Sequence, residues 1–181
     1  ISTAWEMLNW FSVNGRPDLA INAGIAGSYK EDIKIGDVVM PVTDCFADAG
    51  IEDDNNFLTL AEAGLINANS FPFRGGLIHT DPGYAAQLQS ILKSVNAITV
   101  NTATGSDTTR ARLVRKFNPD IESMEGATFF YICRREKIPF LALRAISNLV
   151  EIRNKSNWDI KLAVLNLAEK LNEVFLTMLK R

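Results

Sequence analysis

FLALRAISNLV, residues 140–150, is an apolar run with Arg144 in its middle and Ser147 and Asn148 near its end. Pro139 precedes it and a polar stretch follows it, so it reads as a buried strand. A strand that is apolar on both faces belongs in a sheet covered on both sides. An arginine inside such a strand is costly unless paired, and a carboxylate partner is expected, with Glu122, Glu125 and Asp107 as candidates. Asn148, at the strand's exit, is either an ordinary turn residue or a group delivered to a site.

Working outward, residues 122–137, ESMEGATFFYICRREK, are apolar on most sides and predict a buried helix. Residues 108–117, TTRARLVRKF, predict a basic amphipathic helix after a TGSD turn, and residues 97–103, AITVNTA, a strand. Asp81 and Pro82 predict the start of a helix running through residues 83–95. Residues 71–80 and 35–44 read as strands, and residues 45–57, CFADAGIEDDNNF, as a loop. Residues 19–27, LAINAGIAG, read as a strand ending in a glycine turn. Ser2 can cap an N-terminal helix carrying Trp5, Leu8 and Phe11. Asn157 or Asp159 can cap a long C-terminal helix with Ile160, Val164, Leu167, Leu171 and Val174 on one face. Strands alternating with helices place the chain in the α/β class.

The 181 residues suit one domain, and 47% apolar with 22% charged residues is ordinary for a globular protein. A net charge of −2 gives no reason to expect a nucleic-acid or anionic-membrane partner. No apolar run reaches the length of about 20 residues that spans a bilayer. Two distant cysteines, Cys45 and Cys133, predict reduced thiols and a cytoplasmic setting. The single histidine, His79, reads as structural, and a His-rich zinc site is disfavoured.

Ligands of α/β sheets bind beyond strand ends. Three polar clusters therefore draw attention: NAGIAG, ESMEGA and RAISN. Gly24 and Gly27 permit close backbone approach, although a tight turn accounts for them as well. Glu122 suits a helix start. Glu125, beside Gly126 and two phenylalanines, is expected to point into a crowded interior, where a carboxylate needs partners such as ligand hydroxyls.

Taken in order, INAGIAGS, IKIGDVV, ESMEGA and RAISN resemble the nucleoside phosphorylase and nucleosidase superfamily. FADAGIEDDNNF and RAISNLVEIRNKSNW resemble, within it, the futalosine hydrolases of an alternative menaquinone pathway. The resemblance covers nearly the whole chain. It implies a three-layer α/β/α sandwich around a twisted mixed β-sheet, a homo-oligomer, and a purine nucleoside as ligand. It implies no metal and no organic cofactor. The expected reaction is hydrolysis of the N-glycosidic bond of futalosine, releasing hypoxanthine.

By the same resemblance, Glu125 holds the ribose hydroxyls and Met124 packs under the sugar. Ile25, Ala26 and Gly27 line the sugar side, and Thr104, Gly105 and Ser106 flank the base. Asn148 reads the base with Arg144 as its support, and Trp158 closes over the ligand. Arg153 is a candidate partner for the carboxylate of futalosine's aromatic tail. Adenine-releasing relatives carry Asp where Asn148 stands. An amide can donate to O6 of hypoxanthine while accepting from a protonated N7, so Asn fits a 6-oxopurine. The family has a strand and a carboxylate-bearing loop ahead of the segment at Ile1, so residues 1–181 are expected to be one domain lacking that start. Rival readings are a purine nucleoside phosphorylase, with Ser28 and Lys30 near the glycines, a methylthioadenosine-type nucleosidase, and an inactive nucleoside-binding relative.

Overall fold

The computed structural model describes residues 2–54, 56–152 and 155–179. In chain order the elements are α1 (Ser2–Asn14), β1 (Ala20–Ser28), β2 (Val38–Asp44), β3 (Gly50–Asp53), β4 (Asn56–Thr59) and β5 (Ile78–His79). They continue with α2 (Pro82–Leu88), β6 (Lys93–Thr99), α3 (Asp107–Phe117), β7 (Ile121–Ser123), α4 (Gly126–Glu136), β8 (Phe140–Leu149) and α5 (Ile160–Leu179). Six strands form one mixed sheet in the order β5-β2-β6-β7-β1-β8. Val38 and Val39 of β2 also pair with Ala145 and Arg144 of β8, so the sheet closes on itself. The expected mixed α/β architecture is present.

β8 is the spine. Its alternate side chains point to opposite faces. Leu141, Leu143 and Ala145 pack with Ala163, Leu167 and Val174 of α5. Phe140 and Ala142 pack with Phe129, Phe130 and Cys133 of α4. The rings of Phe130 and Phe140 lie 4.7 Å apart, edge to face. Between the strands, Ala26, Val39, Val95, Ala97, Ile121 and Ile146 form a further cluster.

Several sequence expectations are corrected. Residues 20–28 are strand throughout, so Gly24 and Gly27 lie within β1 and not in a turn after it. The helix starting at Pro82 ends at Leu88, Ile91 and Leu92 lie in the turn that follows, and β6 begins at Lys93, because Val95 and Ala97 are needed in the core between strands. The expected loop at residues 45–57 contains the β3–β4 hairpin. In α1, Met7 and Phe11 face the core, while Trp5 is 68% exposed and Leu8 is exposed as well. Glu122 lies in β7 and not at a helix start. Asp159 caps α5, its Oδ1 accepting from Leu162 N at 2.8 Å.

Removing the Phe140 ring empties the contact between β8 and α4. Phe140→Ala is expected to cost about 3–5 kcal/mol, seen as a lower urea midpoint. An unchanged midpoint would show that α4 does not depend on this ring.

Candidate active site

The three polar clusters converge because β7, β1 and β8 are adjacent. Gly27 of β1 pairs with Glu122 of β7 on one side and Asn148 of β8 on the other. A Cβ at position 27 would come within 2.9 Å of Val150 Cγ2 and 3.1 Å of Asn148 Nδ2. A side chain there would have to displace both groups, so the close approach favours glycine. The β1–β8 register shifts between Ala26 and Gly27, leaving Ser147 without a partner in the ladder. Such a bulge re-aims the side chain that follows it. Ser147 Oγ donates to Asn148 Oδ1 at 2.8 Å, and Asn148 Nδ2 donates to Leu149 O at 3.0 Å. The amide is thus held in one orientation, and among the described residues one donor and one acceptor site stay open.

Glu122 is buried and fixes the neighbouring loop. Tyr29 Oη donates to its Oε2 at 2.6 Å, and the backbone N–H of Thr104 donates to its Oε1 at 2.9 Å. Burial first, and the adjacent Glu122 carboxylate second, push the Tyr29 phenol well above its ordinary range. Asp48 holds the same loop from outside, accepting from Asn101 N at 2.5 Å and Asn101 Nδ2 at 3.0 Å. Thr104 and Gly105 line a cavity of about 450 Å³ with Asp48, Arg112 and Leu113. Ser106, which lines it too, caps α3 by accepting from Thr109 N at 3.3 Å.

Arg144 is 2% exposed, yet its hydrogen bonds run to oxygens of amides and not to a carboxylate. Nη1 donates to Asn22 O and Leu143 O, each at 2.9 Å, and Nη2 donates to Asn22 Oδ1. This corrects the expected ion pair. The parallel pairing of β1 with β8 lays the Asn22 backbone beside the guanidinium before any carboxylate can reach it. Burial lowers the Arg144 pKa, while the more distant Asp44 and Glu125 raise it. Among the described residues Arg144 makes no hydrogen bond to Asn148, whose support comes from Ser147.

Glu125 is exposed, not interior, in the turn between β7 and α4. The helix interior is filled by Phe129, Phe130 and Cys133, so the residue ahead of it turns outward. Met124 beside it is 50% exposed. Ile25 packs towards the α5 cluster and Ala26 into the cluster between strands, leaving Gly27 as the member of this group that lies against Asn148 and Glu122. Asp159 N donates to Ser147 O at 2.8 Å, which returns the chain at Trp158 to the exit of β8. Arg153 lies outside the described residues.

Sequence reasoning missed Tyr29, Asp48, Thr99 and Asp44. Only Asp44 carried a signal, as a carboxylate closing the apolar run VVMPVTD. Among the described residues, no three His, Cys, Asp or Glu side chains come together in a way that could hold a metal ion. Cys45 and Cys133 are both free and buried. No described helix is long and apolar enough to cross a membrane.

The model of the Phosphorylase superfamily matches residues 3–180. Futalosine hydrolase of Streptomyces coelicolor is 29% identical over 170 residues, covering 90% of this chain and 68% of that protein. The 5'-methylthioadenosine/S-adenosylhomocysteine nucleosidase of Geobacillus thermodenitrificans is 25% identical over 169 residues, covering 91% and 68%. The solved futalosine hydrolase of Helicobacter pylori has the same fold, with a TM-score of 0.79 at 18% identity over 96% of this chain and 73% of that one. These relatives cleave N-glycosidic bonds, and the match over nearly every residue decides the family: this chain belongs to the Phosphorylase superfamily.

Proposed function

We propose that this chain is a nucleosidase that hydrolyses the N-glycosidic bond of a 6-oxopurine nucleoside, with futalosine as substrate and hypoxanthine as the released base. The observation that carries the reading is the fixed amide of Asn148. With Oδ1 already accepting from Ser147 and Nδ2 donating to Leu149 O, its open N–H is set to donate to O6 and its open lone pair to accept from N7–H. Adenine presents a donor where O6 would be. That mismatch leaves two donors facing each other, which costs about 1–3 kcal/mol for each unsatisfied group. The futalosine hydrolases among the relatives support the choice of substrate.

The reaction follows from the same groups. As the C1′–N9 bond lengthens, the ribose gains positive charge and the base gains negative charge. Asn148 supports the departing base, which takes a proton from solvent water at N7 and leaves neutral, while the water that adds to C1′ returns its surplus proton to solvent. Glu125 at the mouth of the site accepts from the 2′- and 3′-hydroxyls, and its charge favours the cationic sugar. Water attacks C1′, giving the free sugar and hypoxanthine. Glu122 acts indirectly, by holding the Thr104 loop beside the base.

A phosphorylase would need cationic or hydroxyl groups open to phosphate near the glycines. Lys30 Nζ already donates to Asn118 Oδ1 at 2.9 Å, and Ser28 Oγ donates to Lys30 O at 2.9 Å. Both groups are engaged, which favours water as the nucleophile.

The test is to incubate the chain with futalosine, inosine and 5'-methylthioadenosine, with and without phosphate, and to quantify the bases by chromatography. Hypoxanthine from futalosine, at a rate that phosphate does not change, is expected. Release that requires phosphate would identify a phosphorylase, adenine alone an adenine nucleosidase, and no release from any of the three a non-catalytic relative. Asn148→Asp is expected to shift the adenine-to-hypoxanthine rate ratio by about tenfold or more towards adenine, corresponding to a difference of about 1.4 kcal/mol. If that ratio stays as it was, Asn148 does not read the base.

A further inference from the structure

Asp44 ends β2 and has no part in the reaction just described. Its side chain is fully buried, and burial pushes its carboxyl up to about 7 against the opposing pull of Thr99 and Arg144. Thr99 Oγ1 donates to Asp44 Oδ1 at 2.9 Å. The same Thr99 Oγ1 accepts from Ala127 N at 2.7 Å, in the first turn of α4. Gly126 N donates to Ser123 Oγ at 3.3 Å. A Cβ at position 126 would land on Asp44 Oδ2, so the carboxylate lies directly against the start of the helix. Negative charge is favourable at that end of a helix.

Glu125 occupies the N-cap position of α4, but its side chain makes no capping hydrogen bond. The first-turn donors are met from β6 and β7 instead. We infer that Asp44 is a positioning residue, whose carboxylate, relayed through Thr99 to Ala127, holds the first turn of α4 so that Glu125 faces the sugar instead of capping its own helix. This deepens the proposed nucleosidase reading, since it rests on Glu125 as the ribose-binding group. Arg144 joins the arrangement as the shared counter-charge. Its guanidinium is held by amide oxygens, and Asp44 and Glu125 each favour its charged form.

Asp44→Asn keeps the shape and removes the charge. A carboxyl whose value rises from 3.8 to about 7 on folding costs stability as pH rises between those values, so the Asn variant is expected to be at least as stable as the parent above pH 7. Its kcat/KM for base release is expected to fall about tenfold or more, mainly through kcat, because Glu125 acts on the transition state. Amide hydrogen exchange at Gly126 and Ala127 is expected to accelerate. Unchanged kcat/KM in an active enzyme, or unchanged exchange at those two amides, overturns the inference. Should Asp44→Asn fail to fold, Thr99→Val replaces it, since it removes the hydroxyl that links Asp44 to Ala127 N: unchanged kcat/KM, or unchanged exchange at Ala127, overturns the inference. A parent chain that releases no base defeats the nucleosidase reading, and the exchange result then decides this inference by itself.

Discussion

Gly27 has strands on both sides that each deliver a polar group, and a side chain between them would have to displace Val150 and Asn148. Glu122 arrives from the antiparallel neighbour and Asn148 from the parallel one, with Val150 closing the space above. A methyl at that position would push against Asn148 and Val150 together. The site is therefore built into the sheet itself. Its accuracy follows from strand register, which a buried sheet fixes strongly. Loops complete the site, but they are anchored to strand residues: Thr104 to Glu122, and Asp159 to Ser147.

Buried polar groups carry much of this arrangement, and each has its partners. Arg144 is solvated by Asn22 and Leu143, Glu122 by Tyr29 and Thr104, and Asp44 by Thr99 and the Cys45 backbone. Such networks are costly when half-satisfied and rigid when complete. Here they connect β1, β2, β6, β7 and β8, the five strands of the closed ring. The rigidity lies under the two groups assigned to the ligand, Asn148 and Glu125. Asn148 is half-buried and Glu125 is exposed, so both remain able to meet a substrate.

The α/β class was legible in the sequence because apolar runs and caps depend on local spacing, and the three polar clusters it singled out lie on neighbouring strands. β8 and α4 were readable from FLALRAISNLV and ESMEGATFFYICRREK for that reason, although the helix itself begins only at Gly126. The failures arose where long-range contact decides. GIAG looks like a turn locally, yet β7 and β8 hold it as strand through both edges. LQSILKSV keeps a helical look, but pairing with β2 draws its second half into β6. The ion pair expected for Arg144 followed from charge balance alone, whereas amide oxygens met the same need. Tyr29 and Thr99 gave no local signal, since a tyrosine and a threonine gain their roles only when the strands meet.

A crystal structure of this chain with hypoxanthine and ribose bound would test the account most directly. O6 and N7 of the base are expected within hydrogen-bonding distance of the Asn148 amide, and the ribose hydroxyls on Glu125. A base seated instead in the apolar cavity formed by Phe46, Leu60 and Phe73, or turned with its O6 edge away from Asn148, would contradict it.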